Sequence, residues 1–327
     1  MEQKIHDFGK KLALAKKILL INHVRMDPDC FGSLAALYLI LEKKGYTVQA
    51  VNDDPVPEDF SFLCMNHIIN TTLDIKEYQP DLIISLDAAS LSQLGNTYQD
   101  NQELFQSTDF VVFDHHITNP GFGSLNIINT NASSTCEVLF HTLEILGLDN
   151  VIDPKIATLL TAGIHTDTNI FYNSNTTPET LITAAKLMKF GADFRAPMYE
   201  FYKKKTFNRT KLWGEVLKDV QQAENGKITY ALIKEELFTK TGTNNSDTTG
   251  ITNEFLANMQ GSEVCFLLYP TGKNMIKGSL RSKSIDVSAI CASLGGGGHK
   301  LAAGFNFEGT MEELVEILIG KLKKSLK

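Results

Sequence analysis

The 327-residue chain predicts a doubly wound, mainly parallel α/β sheet followed by a smaller C-terminal α/β domain, with a cleft between them. Three observations carry this. Short apolar runs alternate with helical stretches through the first half, as βαβ units do. The runs KILLIN (Lys17–Asn22), DLIISLD (Asp81–Asp87) and DFVVFDH (Asp109–His115) are almost continuously apolar, as expected of strands covered on both faces. After about Gly191 the pattern shifts to a shorter set of strands and helices.

Met1–Lys17 is charged and helical in pattern. Lys17–Asn22 reads as the first strand, and a helix over Phe31–Lys44 follows it, closed by Gly45. Thr47–Asn52 is a second strand, Asp81–Asp87 and Asp109–His115 are two more, and Asn126–Asn129 is a short additional one. Helices are predicted over Ser133–Leu146, Pro154–His165 and Pro178–Phe190. Ser133, Asp153 and Thr177 stand where N-caps belong, and Pro154 and Pro178 take first-turn positions. Residues 191–210 read as a helical connector that leads into a helix at Lys211–Gln222. Strands are then expected at Lys227–Ile233, Glu263–Tyr269 and Met275–Ser282. Helices are expected near Thr252–Met259, Ile285–Leu294 and Met311–Lys324, and Thr241–Gly250 is expected to be a mobile polar loop.

Composition narrows the functional classes. Hydrophobic residues make up 43% and charged residues 21%, enough apolar surface for a real core. No apolar run reaches the roughly 20 residues that span a bilayer, and the N-terminal segment has no signal-peptide core, so a cytoplasmic protein is expected. Five scattered cysteines form no CxxC pair, which argues against zinc ribbons and disulfide scaffolds. A net charge of −7 argues against coating long nucleic acids, and leaves nucleotides and very short strands open.

Chemistry-bearing residues gather at strand ends, where open α/β sheets bind ligands. His23, Asp27 and Asp29 fall within seven residues after the first strand. Two carboxylates this close repel one another in a partly buried site unless a cation lies between them. Oxygen plus imidazole ligands suit manganese, magnesium, iron or cobalt, with zinc also open; the bland alternative is a solvated Asp-Pro-Asp turn. Gly32 and Ser33 then open a helix whose amides could face an anion. Asp87 ends its strand, where a lone aspartate is most often a cap. Asp114, His115 and His116 end another. Adjacent histidines point apart, so one can ligate metal while the other faces substrate, with Asp114 orienting a ring. Asp167 closes a later helix as a further candidate ligand, whereas His165 reads as a satisfied core histidine. In the C-terminal part, Arg281 and Ser282 precede Gly295–Gly298 and His299. Four successive glycines are costly in backbone entropy, and their bare amides can form an anion nest.

The ordered set His23-x-x-x-Asp27-x-Asp29, Asp87, Asp114-His115-His116, Asp167 and a GGGHxxAAG-like stretch at Gly296–Gly304 resembles the DHH phosphoesterase superfamily over nearly the whole chain. The resemblance implies a DHH catalytic domain at 1–190, the connector at 191–210 and the associated substrate-binding domain at 211–327. It is similar to the two-domain oligoribonucleases that act on nano-RNA and remove the 3′-phosphate of 3′-phosphoadenosine 5′-phosphate. It implies two divalent ions, commonly manganese, with magnesium or cobalt as alternatives. His23, Asp27 and Asp87 would hold the first; Asp29, the bridging Asp87, His115 and Asp167 the second. His116 would face the scissile phosphate, with Arg281, Ser282 and Gly296, Gly297, Gly298 and His299 binding substrate. Asp87, His116 and Arg281 would act catalytically in two-metal hydrolysis, with water as nucleophile. The first motif departs from the pattern at Met26 and Pro28, which leaves every ligand spacing intact. Expected partners are short RNA, dinucleotides or a nucleotide bisphosphate, not long duplexes or membranes, and a homodimer is compatible with the chain. Competing readings are a cyclic-dinucleotide phosphodiesterase, a pyrophosphatase or exopolyphosphatase, and a non-catalytic nucleotide-binding protein.

Overall fold

A computed structural model describes residues 1–326. The chain divides into two compact units, Met1–Lys204 and the remainder from Lys205 on. Six strands build the first unit: β1 (Lys17–Asn22), β2 (Thr47–Val51), β3 (Ile69–Asn70), β4 (Leu82–Leu86), β5 (Asp109–Asp114) and β6 (Leu125–Ile128). They pair in the order β3-β2-β1-β4-β5-β6, every pair parallel. The order reverses between β1 and β4, which makes their carboxyl ends the switch point of a doubly wound sheet.

Alternation of side chains explains the continuous apolar runs. Ile18, Leu20, Ile84, Val111 and Phe113 face one buried layer, while Leu19, Ile21, Ile83 and Val112 face the other. Each strand residue therefore leaves water whichever way it points.

Caps fix where the helices start. The helix Pro28–Lys43 is capped by Asp27, whose Oδ1 accepts from the amides of Asp29 at 3.1 Å and Cys30 at 2.9 Å. Asp153 caps Pro154–Asp167, and Thr177 forms a capping box with Thr180 at the head of Pro178–Lys189. The cap of Thr135–Ile145 is Ser134, one residue later than expected. Ser133 instead donates its hydroxyl to the buried Glu137 carboxylate at 2.6 Å.

The helices Pro28–Lys43 and Pro154–Asp167 approach closely through two glycines. A Cβ at Gly32 would lie 2.5 Å from the Leu159 carbonyl oxygen, and one at Gly163 would lie 2.4 Å from both Asp29 Oδ1 and Cys136 Sγ. Gly163→Ala is accordingly expected to destabilise the chain by about 2 kcal/mol through overpacking. That should appear as a fall of about 4–8 °C in the melting temperature. An unchanged melting temperature would refute the tight approach.

The second unit holds β7 (Gln221–Ala223), β8 (Ile228–Leu232), β9 (Val264–Gly272), β10 (Met275–Ser282), β11 (Gly297–His299) and β12 (Ala302–Glu308). Their order is β11-β12-β10-β9-β8-β7, antiparallel except for β8 beside β9. The helices Val287–Ala292 and Met311–Ser325 cover one face. The helix Phe207–Lys218 covers part of the other.

Several expectations change here. The helix placed at Lys211–Gln222 begins four residues earlier, because Thr206 Oγ1 accepts from the Arg209 amide at 3.1 Å. The segment expected as a helix at Thr252–Met259 forms a π turn at Ile251–Phe255 and a 3-10 turn at Leu256–Asn258. The polar stretch Thr241–Gly250 is folded: Asn244 and Asp247 cap one another across the 3-10 turn Asn245–Thr248, and Trp213 donates to the Asp247 carbonyl at 2.8 Å. In the basic aromatic stretch around Tyr199–Lys205, Tyr199, Lys203 and Lys204 are exposed while other side chains pack. Phe201 packs edge-on against Phe60 and Phe62 in the first unit, while Lys205 and Arg209 lie over Trp213 in the second. Among the described residues, no helix is long and apolar enough to cross a membrane.

Candidate metal centre

At the carboxyl ends of β1, β4 and β5, the fold brings together residues up to 144 positions apart, from His23 to Asp167. His23 Nδ1 lies 2.9 Å from the Val24 carbonyl oxygen. A proton on Nδ1 leaves the Nε2 lone pair directed at the carboxylates, 3.7 Å from Asp27 and 3.6 Å from Asp87. His115 Nε2 stands 3.7 Å from Asp87 Oδ1 and 3.2 Å from Asp167 Oδ2. Potential ligand atoms fall into groups within 4.8 Å: His23 with Cys30 and Asp87; Asp87 with His115 and His116; Asp29 with His115 and Asp167. Asp87 belongs to two of the three groups.

Backbone and neighbours hold these carboxylates in place. Asp87 adopts a left-handed conformation at φ 60°, an uncommon state that aspartate tolerates better than most residues. Its amide donates to the Phe113 carbonyl at 2.9 Å, and Thr135 Oγ1 donates to its Oδ1 at 2.8 Å. Asp29 is fully buried, and both its oxygens accept backbone amides at the head of the helix Thr135–Ile145: Oδ2 from Thr135 at 2.7 Å, Oδ1 from Cys136 at 2.9 Å. Beginning two residues after Asp167 come three successive left-handed residues, Asn169, Ile170 and Phe171. Such strain collects at functional sites.

The donor chemistry fits divalent cations. Burial, then repulsion from Asp167 and Asp87, pushes the Asp29 carboxyl well above the ordinary carboxylate range. Burial and repulsion from Asp87 and Asp27 do the same to Asp167. Burial alone would lower His23, yet the facing Asp27 and Asp87 raise it. A cluster that repels itself in this way and offers mostly carboxylate oxygen and imidazole nitrogen, with the buried Cys30 thiol the one sulfur beside them, is matched by hard or borderline metal ions.

Asp114 has a different role from the other aspartates. It is fully buried. Its Oδ1 accepts from the His115 amide at 2.8 Å and from His116 Nδ1 at 2.7 Å, and its Oδ2 accepts from Asn119 Nδ2 at 2.6 Å. That hydrogen bond is the main cause raising His116 above its ordinary value. The His116 ring is about two-fifths exposed, so Nε2 is the nitrogen left for a ligand.

In the second unit, the glycine run leads from a turn at Gly295 into the hairpin arm β11, which holds Gly297 and Gly298. Gly295 is left-handed, at φ 78°; a Cβ on Gly296 would lie 2.2 Å from the Gly304 oxygen; and Gly298, at φ 142°, would meet Ala303 Cα at 2.6 Å. Gly297 alone combines an ordinary φ with open space where its side chain would be; Gly295 has the space but a left-handed backbone. Arg281 Nε donates to Asn253 Oδ1 at 2.7 Å and Nη1 to the Leu280 carbonyl at 2.8 Å. Ser282 Oγ accepts from Ser284 at 3.2 Å and Ile285 at 2.7 Å and donates to Glu263 at 3.3 Å, so it is engaged inside a turn.

The family model for the DHH family N-terminal domain matches residues 17–164, and that for the DHHA1 domain matches residues 225–324. The chain carries a DHH domain followed by a DHHA1 domain. It is 29% identical to a bifunctional oligoribonuclease and PAP phosphatase, NrnA, of Bacillus subtilis, over 90% of each chain. It is 28% identical to the protein of the same name from Thermus thermophilus, over 96% of this chain and 91% of that one. In fold it matches an exopolyphosphatase-related protein from Bacteroides fragilis, with a TM-score of 0.85 at 24% identity, covering 99% of this chain and 96% of that one.

Within the DHH domain, residue patterns left several participants unseen. Thr135 and Asn119 hold Asp87 and Asp114. Asn52 Nδ2 ties the ends of β1 and β2 by donating to Asn22 Oδ1 at 2.7 Å and the His23 carbonyl at 2.9 Å. The run Ser133-Ser134-Thr135 before Glu137 was the available signal, and it read only as a helix cap. Cys30 Sγ lies in the His23–Asp87 group, and burial pushes its thiol up to about 12. His165 is buried between the rings of Phe171 and Phe194, but neither ring nitrogen has a hydrogen-bond partner among the described residues. Burial lowers it to about 4, which keeps it neutral. It is a core histidine, as expected, but an unsatisfied one, because its faces meet aromatic carbon.

Proposed function

We propose that this chain is a metal-dependent phosphoesterase that hydrolyses short oligoribonucleotides and dinucleotides and removes the 3′-phosphate of 3′-phosphoadenosine 5′-phosphate. The observation that carries the reading is the convergence of Asp27, Asp29, Asp87 and Asp167 with His23 and His115, beside a His116 ring that Asp114 orients. The two NrnA relatives support the substrate class.

His23, Asp27 and Asp87 would hold one ion; Asp29, Asp87, His115 and Asp167 would hold a second. Manganese is the first choice, with magnesium or cobalt as alternatives. Bound there, such ions supply Lewis-acid charge and a water acidic enough to ionise near neutral pH. The chain's own residues do the remaining work. Asp114 keeps the His116 proton on Nδ1 or shares it, so Nε2 meets a phosphoryl or leaving oxygen. Thr135 and the helix amides fix Asp87 and Asp29 so that neither carboxylate rotates freely. Arg281 and the Gly296–His299 arm bind the nucleotide or its terminal phosphate, and Ser282 shapes the adjoining turn. The enzyme works in the cytoplasm on short single strands and nucleotides.

A manganese-supplemented panel tests this directly. Dinucleotide and 3′-phosphoadenosine 5′-phosphate should be hydrolysed, and inorganic polyphosphate should not. Turnover of polyphosphate with neither nucleotide cleaved would replace the reading with that of an exopolyphosphatase.

A further inference from the structure

Two loops leave the metal centre of the first unit, and each carries a large apolar side chain out into water. Among the large apolar side chains described, Ile117 at 87% and Tyr172 at 80% rank with Leu14 as the most exposed. His115 Nε2 and Asp167 Oδ2 stand 3.2 Å apart, so the loops that begin at these two residues start side by side. Ile117 follows His115 by two residues, about 7 Å of extended chain at most. Tyr172 returns towards Asp167: its amide donates to the carbonyl of the adjoining Thr168 at 2.9 Å.

Both loops are braced. Asn119 closes the turn around Ile117 by donating its amide to the His116 carbonyl at 3.2 Å, and its side chain donates to the Ala88 carbonyl at 3.0 Å and to Asp114 Oδ2 at 2.6 Å. In the other loop the side-chain amides of Asn173 and Asn175 donate to the Asp167 carbonyl at 3.1 Å and 3.2 Å. The left-handed run sends Phe171 inward, where its ring meets buried His165 edge-on at 5.3 Å, and leaves Tyr172 facing water. Among the described residues the Tyr172 hydroxyl makes no hydrogen bond and its ring meets no other ring. Such exposure contributes nothing to the core. On braced loops beside a reaction centre it suits a ligand with an apolar face.

We propose that Tyr172 stacks on one of the two bases flanking the scissile phosphate, with Ile117 lying against the same base. This rests on the reading under Proposed function and deepens it: the phosphate stays with the metal centre, and the same unit holds a base beside it. A nucleobase is the flat apolar part of the substrate class proposed, and it is joined to the reacting phosphate through one sugar. The face of a tyrosine ring and a branched alkyl group present no hydrogen-bonding pattern fitted to one base, and stacking accepts every base because each has a π-face. The platform therefore selects nucleotide esters over other phosphoesters without reading sequence. Tyr172 and Ile117 take no part in bond cleavage.

The test compares wild type, Tyr172→Ala, Tyr172→Phe and Ile117→Ser in the full-length, manganese-loaded chain. Substrates are a dinucleotide and its two analogues that each lack one base. Tyr172→Ala should raise KM for the dinucleotide about tenfold, the scale of one lost base–aromatic stack, with little change in kcat. Tyr172→Phe keeps the ring and should restore KM. Ile117→Ser should raise KM in the same direction but less. One of the two analogues should bind wild type weakly and be indifferent to Tyr172→Ala. Equal effects on all three substrates would make Tyr172 a brace for Asp167 and overturn the proposal, as would an unchanged KM in Tyr172→Ala or Ile117→Ser. Fluorescence gives a readout independent of hydrolysis: an uncleavable dinucleotide carrying 2-aminopurine, its bridging oxygens replaced by methylene groups, is titrated with the magnesium-loaded chain. Stacking should quench it in wild type and Tyr172→Phe and not in Tyr172→Ala. Self-association of the wild type that Tyr172→Ala abolishes, without such quenching, would assign the surface to a second copy of the chain and overturn the proposal. If quenching follows Tyr172 while no nucleotide is hydrolysed, the catalytic reading falls and the platform stands. If nucleotides are hydrolysed and neither KM nor quenching responds to Tyr172, the reverse holds.

Discussion

Asp87→Asn is expected to lower kcat/KM by about a thousandfold or more, equivalent to roughly 4 kcal/mol of transition-state stabilisation. The substitution is nearly isosteric, and Thr135 can still donate to the remaining oxygen. What it removes is the negative charge common to two of the three donor groups. Both His23 and His115 face that carboxylate, so one change weakens two prospective ion sites together. Manganese titration by calorimetry should show affinity lost along with activity, while the melting temperature of the metal-free chain moves little. Activity within tenfold of wild type would remove Asp87 from the centre of the scheme.

The second large effect is expected at Asp114, whose replacement acts through a neighbouring ring. Asp114→Asn should reduce kcat about a hundredfold, with manganese affinity unchanged. The carboxylate now accepts three hydrogen bonds, from His115, His116 and Asn119. An amide has one acceptor oxygen and a donor group in place of the other, so at least one buried donor is left without a partner or His116 must change tautomer. Either outcome misdirects Nε2. A parallel fall in metal affinity would instead make Asp114 part of the ion-binding shell. Retention of full activity would show that His116 needs no such support.

Legibility in the sequence varied with the physical signal available. β1 and β10 match their predicted bounds to the residue. Their apolar or alternating runs end abruptly at polar residues. The hairpin of β11 and β12 went unread because GGGGHKLAAG offers almost no side chains from which to read a period. The turns at Ile251–Asn258 have helical composition but not a continuous helix. In the site, strand-end residues such as Asp87 and Asp114 were legible from position. Thr135 was not: its hydroxyl reaches a carboxylate 48 residues earlier in the chain, a pairing that only the folded sheet creates. The glycine run misled in the opposite direction. Gly296 and Gly298 answer to the close approach of β12 and Gly295 to a left-handed turn, and only Gly297 is left for a ligand.

The dual occupation of Asp29 shapes how such a protein can drift over generations. Its two oxygens close the amino end of a buried helix, so a lineage that abandoned hydrolysis would still need an acceptor at that position. His116 carries no comparable structural duty. Decay of the activity would therefore begin in the residues that face outward. Asp29 would persist as a relic of chemistry that no longer took place.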